Sequence, residues 1–466
     1  MTARSGTSRV EDVYPVVARP AQTPPPRDSG HRGAAWRLLG RLQSVGWALA
    51  DQCIVSAVNF LTVYLFARHL STAEFGALML AYTGLLLLTS MQNALVVQPH
   101  NVLAAGLPQE DYQRFTGALV LVQVIACLGT CAVLGAVGVV VANFVSASGG
   151  RVLIALAAVA VPTLGQEFVR RVLYTRSETR AAVLNDAVSY GLQVGGAFAF
   201  AFRWADGASA SGALLVFGGS SLAGVLLGVW QLRDHVRFRH GSHGWFGRTW
   251  SEVWNFGKWL TAQNILAWLG LQGHAWIIGL MLGVEQVGLY RAITHLANLM
   301  NPVRQVAYSY LPSRGSVAYQ VGSVAGLKKW VGKTSRTLLL ALLPFCIVLV
   351  GFPDWVLHLA YGERYAGSDL ALLLALATVA QCFTFAKFPF DLGLLALRST
   401  KSIFYAHLIP VVLLLTAGVG LIAILGLVGV PLANMVINGA LLIGTWFAYA
   451  QVVKRRSRDQ RHEASR

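Results

Sequence analysis

Nine polar or charged side chains sit inside apolar runs where a lipid-facing position would carry none: Gln52, Asn59, Asn93, Gln263, His274, Arg291, His295, Asn298 and Arg304. Such groups are costly in hydrocarbon unless they face protein or a water-filled cavity. Their spacing places them in stripes. Gln52, Ser56 and Asn59 fall at i, i+4 and i+7 of one run, and Tyr82, Thr89 and Asn93 share a face of the next. In the second half Gln263, Ala267, Gly270 and His274 share a face. Arg291, His295, Asn298 and Gln305 line another, with Asn301 and Arg304 beside it. A single Asn or Gln of this kind reads as a helix–helix hydrogen bond. The stripes together, above all the cationic one, read as the wall of a hydrated cavity. Asp51 is the acidic group near the start of the first run; it reads either as a proton or cation site or as a helix cap at the interface.

The chemistry of bond making is missing. Gly332-Lys333-Thr334 looks like the end of a nucleotide-binding loop, but that loop needs glycine at 327, where Leu stands; the glycine is at 326. No G-x-S-x-G or H-E-x-x-H pattern occurs. Cys127 and Cys131 are one helical turn apart, yet no histidine or carboxylate accompanies them, so they read as small apolar fillers, like Cys53, Cys346 and Cys382. Glu167 with Arg170 and Arg171, and Lys387 with Asp391, are spaced to pair within one helix. No enzyme activity, metal or cofactor is expected.

The elements that carry these stripes follow from composition. The 466 residues are 55% hydrophobic and 12% charged, and mean hydropathy is +0.56, against about 25% charge in a soluble domain. A span needs about 20 apolar residues, so the length allows about twelve. The runs are continuous rather than alternating, which argues against a β-barrel. Spans are predicted near 44–67, 76–98, 116–144, 152–173, 182–204, 210–231, 256–281, 286–310, 335–359, 369–394, 403–425 and 430–452. Residues 1–43 are polar and proline-rich and read as a disordered cytoplasmic tail.

The net charge is +17, but the cations sit at the ends of apolar runs, which makes nucleic acid an unneeded partner. One set of connections is basic: Arg27 to Arg41, then Arg170 to Arg180, Arg233 to Arg248, Lys328 to Arg336, and Lys454 to Arg458. The alternate set is short and nearly neutral. By the positive-inside rule the basic set is cytoplasmic. Both termini then lie inside, in agreement with an even number of spans.

The two halves repeat at an offset of about 212 residues. Asp51-Gln52 corresponds to Gln263-Asn264, Glu74-Phe75-Gly76 to Gln286-Val287-Gly288, and Pro99 to Pro312. Later Leu173-Tyr174-Thr175-Arg176-Ser177 resembles Leu395-Ala396-Leu397-Arg398-Ser399. Six spans per half bring both halves in from the same side, a parallel repeat with a path between the lobes. The expected fold is all-α and polytopic, with about twelve helices in two parallel six-helix lobes. Residues 44–232 form the first lobe, 233–255 a basic cytoplasmic linker, 256–452 the second lobe and 453–466 a basic tail.

Several local patterns resemble the polysaccharide-exporter branch of the multidrug/oligosaccharidyl-lipid/polysaccharide flippase superfamily. They are Asp51-Gln52 with Asn59, the run Ala67-Arg68-His69-Leu70-Ser71-Thr72-Ala73-Glu74-Phe75-Gly76, and Gln98-Pro99. In the second half they are Phe256-Gly257-Lys258-Trp259-Leu260, Gly288-Leu289-Tyr290-Arg291-Ala292 and Tyr361-Gly362-Glu363-Arg364-Tyr365. The resemblance covers residues 40–452. It implies a V-shaped pair of lobes whose cavity opens alternately to each side of a bacterial inner membrane. It implies an undecaprenyl-diphosphate-linked oligosaccharide as cargo, moved for exopolysaccharide or O-antigen synthesis beside a polymerase and export machinery. A diphosphate would be drawn to cations such as Arg291, His295 and Arg304. Rival readings at this point are a drug or cation antiporter of the same superfamily using Asp51, a membrane polysaccharide polymerase, and a scaffold subunit of an export complex.

Overall fold

The computed structural model describes residues 54–464, apart from 105–106, 177, 204–207, 234–235, 237–242, 366 and 398–408. Asp51 and Gln52 lie outside the described residues, as does the predicted tail 1–43. Every regular element among the described residues is helical. The first lobe holds α1 (Ile54–His69), α2 (Thr72–Leu103), α3 (Gln109–Phe144), α4 (Ala147–Thr175), α5 (Thr179–Arg203) and α6 (Ala210–Gln231). The second begins with α7 (His243–Met281) and α8 (284–322). Ser323, at φ 52° and ψ −152°, breaks the chain into α9 (324–351). Then come a short α10 (Pro353–Tyr361), α11 (Ser368–Ala396), α12 (409–425) and α13 (Gly429–Ala464). Set α10 aside and each predicted span has its helix.

Two boundaries differ from expectation. The span predicted at 335–359 ends at Gly351, because Phe352 leaves helical geometry and Pro353 opens α10. The helix α7 starts at His243, inside the segment assigned to a linker, so the second half of 233–255 is the first turns of α7.

Seven described helical stretches are long and apolar enough to cross a membrane on those grounds alone. The helices that fall short are informative. α1 is described only from Ile54 onward; α5, α7 and α8 are long enough but carry too many polar groups. These last include Asn185, Asp186 and Gln193 on α5, Gln272 and His274 on α7, and Arg291 and His295 on α8. A span diluted in this way must turn its polar groups away from lipid.

Local sequence explains how the lobes meet. Ser71 caps α2 by accepting a hydrogen bond from the Glu74 amide at 3.2 Å. That leaves the Glu74 carboxylate to accept from the amide of Ala210, the first residue of α6, at 2.6 Å. Phe75 is fully buried in the largest core cluster, which also contains Ile293, Tyr361 and Leu374 of the second lobe. Gly76 then faces α8: a Cβ there would lie 1.9 Å from the Val284 carbonyl oxygen. Gly288 faces α2 in return, with a Cβ falling 2.0 Å from the Thr72 carbonyl oxygen. The two contacts are images of each other under the 212-residue repeat, so α2 and α8 cross on the axis relating the lobes.

The Tyr361–Tyr365 motif closes the same end. Gly362, at φ 75°, turns the chain there. Arg364 donates to the Leu70 carbonyl at 2.6 Å, Tyr365 to that of Ala67 at 3.4 Å and Tyr361 to that of Ala292 at 3.2 Å. Thr72 donates to the Glu285 carboxylate at 2.9 Å. All these contacts are at the end with the neutral connections.

Candidate functional site

A group of polar side chains converges where α7 and α8 meet α2 and α13. Arg291 stands two turns into α8, about 10 Å along its axis. It donates through one Nη to the Gln272 side-chain oxygen on α7 at 2.7 Å. Its Nε is buried without a hydrogen-bond partner. No carboxylate pairs with Arg291 among the described residues; its electrostatic neighbours are the phenols of Tyr290 and Tyr82. His274, half a turn beyond Gln272, meets Tyr290 edge to face with centroids 6.1 Å apart, and its Nδ1 is buried and unpartnered. Tyr290 accepts from the Asn434 side-chain amide of α13 at 2.7 Å. The result is a cation held by an amide and bordered by two phenols and an imidazole, with donor capacity left over. Such a group can receive an anionic oxygen through charge-assisted hydrogen bonds.

The first lobe supplies the wall opposite. Trp268 and Trp276 of α7 donate to the carbonyl and hydroxyl of Thr83 at 2.9 and 3.0 Å, fixing α7 along α2 beside Tyr82. Asn264 donates to the Ser90 carbonyl at 2.9 Å. Further along, α2 loses α-geometry in a π turn over Asn93–Val97, and α8 does so in a 3-10 turn over Asn298–Met300.

The remaining predicted site residues divide. His295 reaches across the lobes: its Nε2 is 3.0 Å from the Phe60 carbonyl and its ring stacks on Phe60 at 4.5 Å. Asn298 accepts from Gln381 of α11. Asn59 accepts from Gln193 of α5 at 3.1 Å, which also meets Thr62. These last two are helix–helix hydrogen bonds, and their side chains are already spoken for. Asn93 has a buried, unpartnered side-chain oxygen. Gln263 is exposed. Arg304 is half-buried with no partner found among the described residues. The geometry therefore joins Arg291 to His274 and does not join Gln263, Asn59 or Asn298 to them. Gln272, Tyr290, Asn434 and Tyr82 are site members that helical spacing did not single out together; Gln272 lies two residues before the predicted His274, about 200° around the helix from it.

A second polar cluster lies within the first lobe. Arg170 of α4 donates to Asp186 of α5 at 2.8 Å, and Asp186 also accepts from Gln166 at 3.3 Å. Glu167 pairs with Arg171 at 2.7 Å and with Arg170 at 3.6 Å. The within-helix pairs expected at Glu167 are present, as is Lys387 with Asp391 at 2.7 Å; Asp186, the most buried partner, comes from another helix. No cluster of metal-ligating side chains occurs among the described residues.

The helical fold is shared with solved multidrug transporters and a flippase. The chain matches an inward-facing multidrug resistance MATE family transporter of the MOP superfamily with a TM-score of 0.67 and 14% identity, covering 89% of this chain and 99% of that one. It matches the lipid II flippase MurJ, in an inward closed conformation, with a TM-score of 0.60 and 12% identity, covering 88% and 90%. It matches a Pyrococcus furiosus MOP superfamily transporter, described as having a binding pocket of reverse polarity, with a TM-score of 0.58 and 14% identity, covering 89% and 95%. No curated protein sequence matches. Residues 41–310, more than half the chain, match the family described as polysaccharide biosynthesis protein, and the chain belongs to it.

Proposed function

We propose that this membrane transporter flips lipid-linked oligosaccharide units across the bacterial inner membrane by alternating access, supplying exopolysaccharide or O-antigen synthesis. The observation that carries the reading is Arg291: a half-buried guanidinium whose Nε is buried and unpartnered, with no acidic partner among the described residues, at the junction of the lobes. A cation in that setting suits a diphosphate linkage. An antiporter for cationic drugs would want the opposite charge there. His274, with its free Nδ1, would take a second phosphate oxygen or a sugar hydroxyl, and Arg304 would guide the anion along α8. The undecaprenyl chain would stay in the bilayer. The role is transport, with the bond-making steps left to a polymerase and other partners.

Deletion of the gene tests the reading. Single-repeat lipid-linked intermediates should accumulate in the cytoplasmic leaflet, protected from external reagents. Intermediates that reach the outer leaflet but stay unpolymerised would make the chain a polymerase instead; normal polysaccharide with altered drug resistance would make it an antiporter. Complementation with Arg291→Ala should restore the protein to the membrane and leave export below about a tenth of wild type, the loss of one charge-assisted contact. Full export from that variant would remove Arg291 from the mechanism.

A further inference from the structure

Apart from the junction of the lobes, the first lobe contains a cavity of about 540 Å³ at the basic end of the bundle, where the end of α2, the start of α3 and the end of α4 meet. Its polar wall is built by Arg171, Arg176, Thr175, Asn101 and Tyr112. We propose that it binds a phosphate-bearing group, such as the headgroup of an anionic phospholipid.

The wall is held in place from behind. Thr175 donates to Asn101 at 2.5 Å, tying α4 to α2. Arg176 donates through one Nη to Gln109 at 2.8 Å and sits over the Tyr112 ring, 4.5 Å from its centroid. Arg171 gives its Nε to Glu167 at 2.7 Å, which orients the guanidinium and leaves both Nη groups as donors. Glu167 is shared with Arg170, so its charge is divided between two cations. Glu178, within electrostatic range of Tyr112, is a further carboxylate near the wall. Tyr112 is 2% exposed, and its hydroxyl lies beside that of Thr116 without completing a hydrogen bond of good geometry. A buried hydroxyl left without a partner is expensive, and a phosphate oxygen in the cavity would supply one. Two guanidinium groups, the Tyr112 hydroxyl and the Asn101 side-chain NH2 suit a phosphate, which accepts several hydrogen bonds at once.

The surroundings favour a lipid as the source. Ala104 and Leu107 complete the wall with apolar surface. Leu107 and the neighbouring Val102 are exposed, at 37% and 53%. The pocket thus has a cationic interior and an apolar edge at the level where a span ends. A headgroup seated inside would leave its acyl chains alongside that edge.

The test uses the full chain in phosphatidylcholine nanodiscs, with two probes: dioleoylphosphatidic acid added to the bilayer, and inorganic pyrophosphate added to the solution. Retained lipid is counted by native mass spectrometry, and pyrophosphate binding is followed by phosphorus NMR line width. Wild type should hold one anion, and Arg171→Gln combined with Arg176→Gln should weaken it by about tenfold or more. Retention of phosphatidic acid alone identifies a headgroup site; retention of pyrophosphate alone identifies a site for a soluble phosphate; both support the proposal. Tyr112→Phe keeps the ring under Arg176 and removes only the unpartnered hydroxyl, so it should fold with an unchanged or higher Tm and still bind more weakly. That variant decides the matter if the double variant fails to fold. No binding of either probe by wild type, or equal binding by wild type and Tyr112→Phe, overturns the site.

Discussion

Asp186 shows what a single residue contributes in this lobe. It is 2% exposed and receives both the Arg170 guanidinium and the Gln166 amide. Two opposite charges on neighbouring helices satisfy one another, and the pair fixes α4 against α5. Asp186→Asn would leave Arg170, itself only 15% exposed, with Glu167 at 3.6 Å as its carboxylate. Breaking a buried pair from one side costs about 3–5 kcal/mol. Thermal melting in detergent should therefore show a clear fall in Tm for Asp186→Asn. The double variant Asp186→Asn with Arg170→Gln should recover part of it, because it removes the stranded charge as well. Equal Tm for wild type and Asp186→Asn would make the pair irrelevant to stability. The ion pair also marks a limit of reading by spacing. Glu167, Arg170 and Arg171 pair at i, i+3 and i+4 and are visible in one helix. Asp186 is 16 residues from Arg170 along the chain, and only the packing of α4 on α5 brings it there. The same holds for Gln272 with Arg291 and Asn434 with Tyr290. Arg291, His274 and Tyr82 sit in stripes that the sequence exposes, but their partners are set by which helices touch.

At the scale of elements, the crossing of α2 over α8 does the most to define the closed end. Gly76 and Gly288 let two backbones come together where the adjacent Thr72–Glu285 bond and the Arg364 bond to Leu70 also act. Small residues at such crossings let spans pack by direct contact, which is the main attraction between helices in lipid. A methyl group at Gly288 would have to push a backbone carbonyl aside, which no side-chain rotation can relieve. Gly288→Ala should therefore open the joined end. The readouts are a lower Tm and a rise in labelling of a cysteine placed at Thr72, reported by a maleimide probe. Unchanged labelling and Tm would mean that the helices slide past the methyl at no cost. Much of this end was readable in advance as local pattern. The Glu74-Phe75-Gly76 and Gln286-Val287-Gly288 segments stand out as a repeat, and Tyr361-Gly362-Glu363-Arg364-Tyr365 as a motif. What the patterns do not contain is that the repeated segments touch each other. That follows from a two-fold relation between lobes, which places equivalent glycines face to face.

For the whole molecule, charge and contact point in the same direction. The connections at one end carry most of the cations, including Arg170 to Arg180 and Lys328 to Arg336. The lobes are clasped at the opposite, neutral end. If the basic end is cytoplasmic, as the positive-inside rule requires, the clasp would be an external gate and the polar group around Arg291 would be reached from the cytoplasmic side. A flippase that collects cargo on the inner leaflet needs that polarity in its resting state. The orientation is open to direct test with two exposed positions. Glu363 lies in the clasp, and Ser323 lies at the break between α8 and α9 beside Lys328. In a background with the five native cysteines replaced, Glu363→Cys should react with a membrane-impermeant maleimide in spheroplasts. Ser323→Cys should react only after the membrane is permeabilised. The reverse pattern would put the basic loops outside, turn the clasp into an internal gate, and require cargo to enter from the other leaflet. Export from cytoplasm to periplasm would then need the lobes to rest in the opposite state, and the proposed direction of flipping would fall with it.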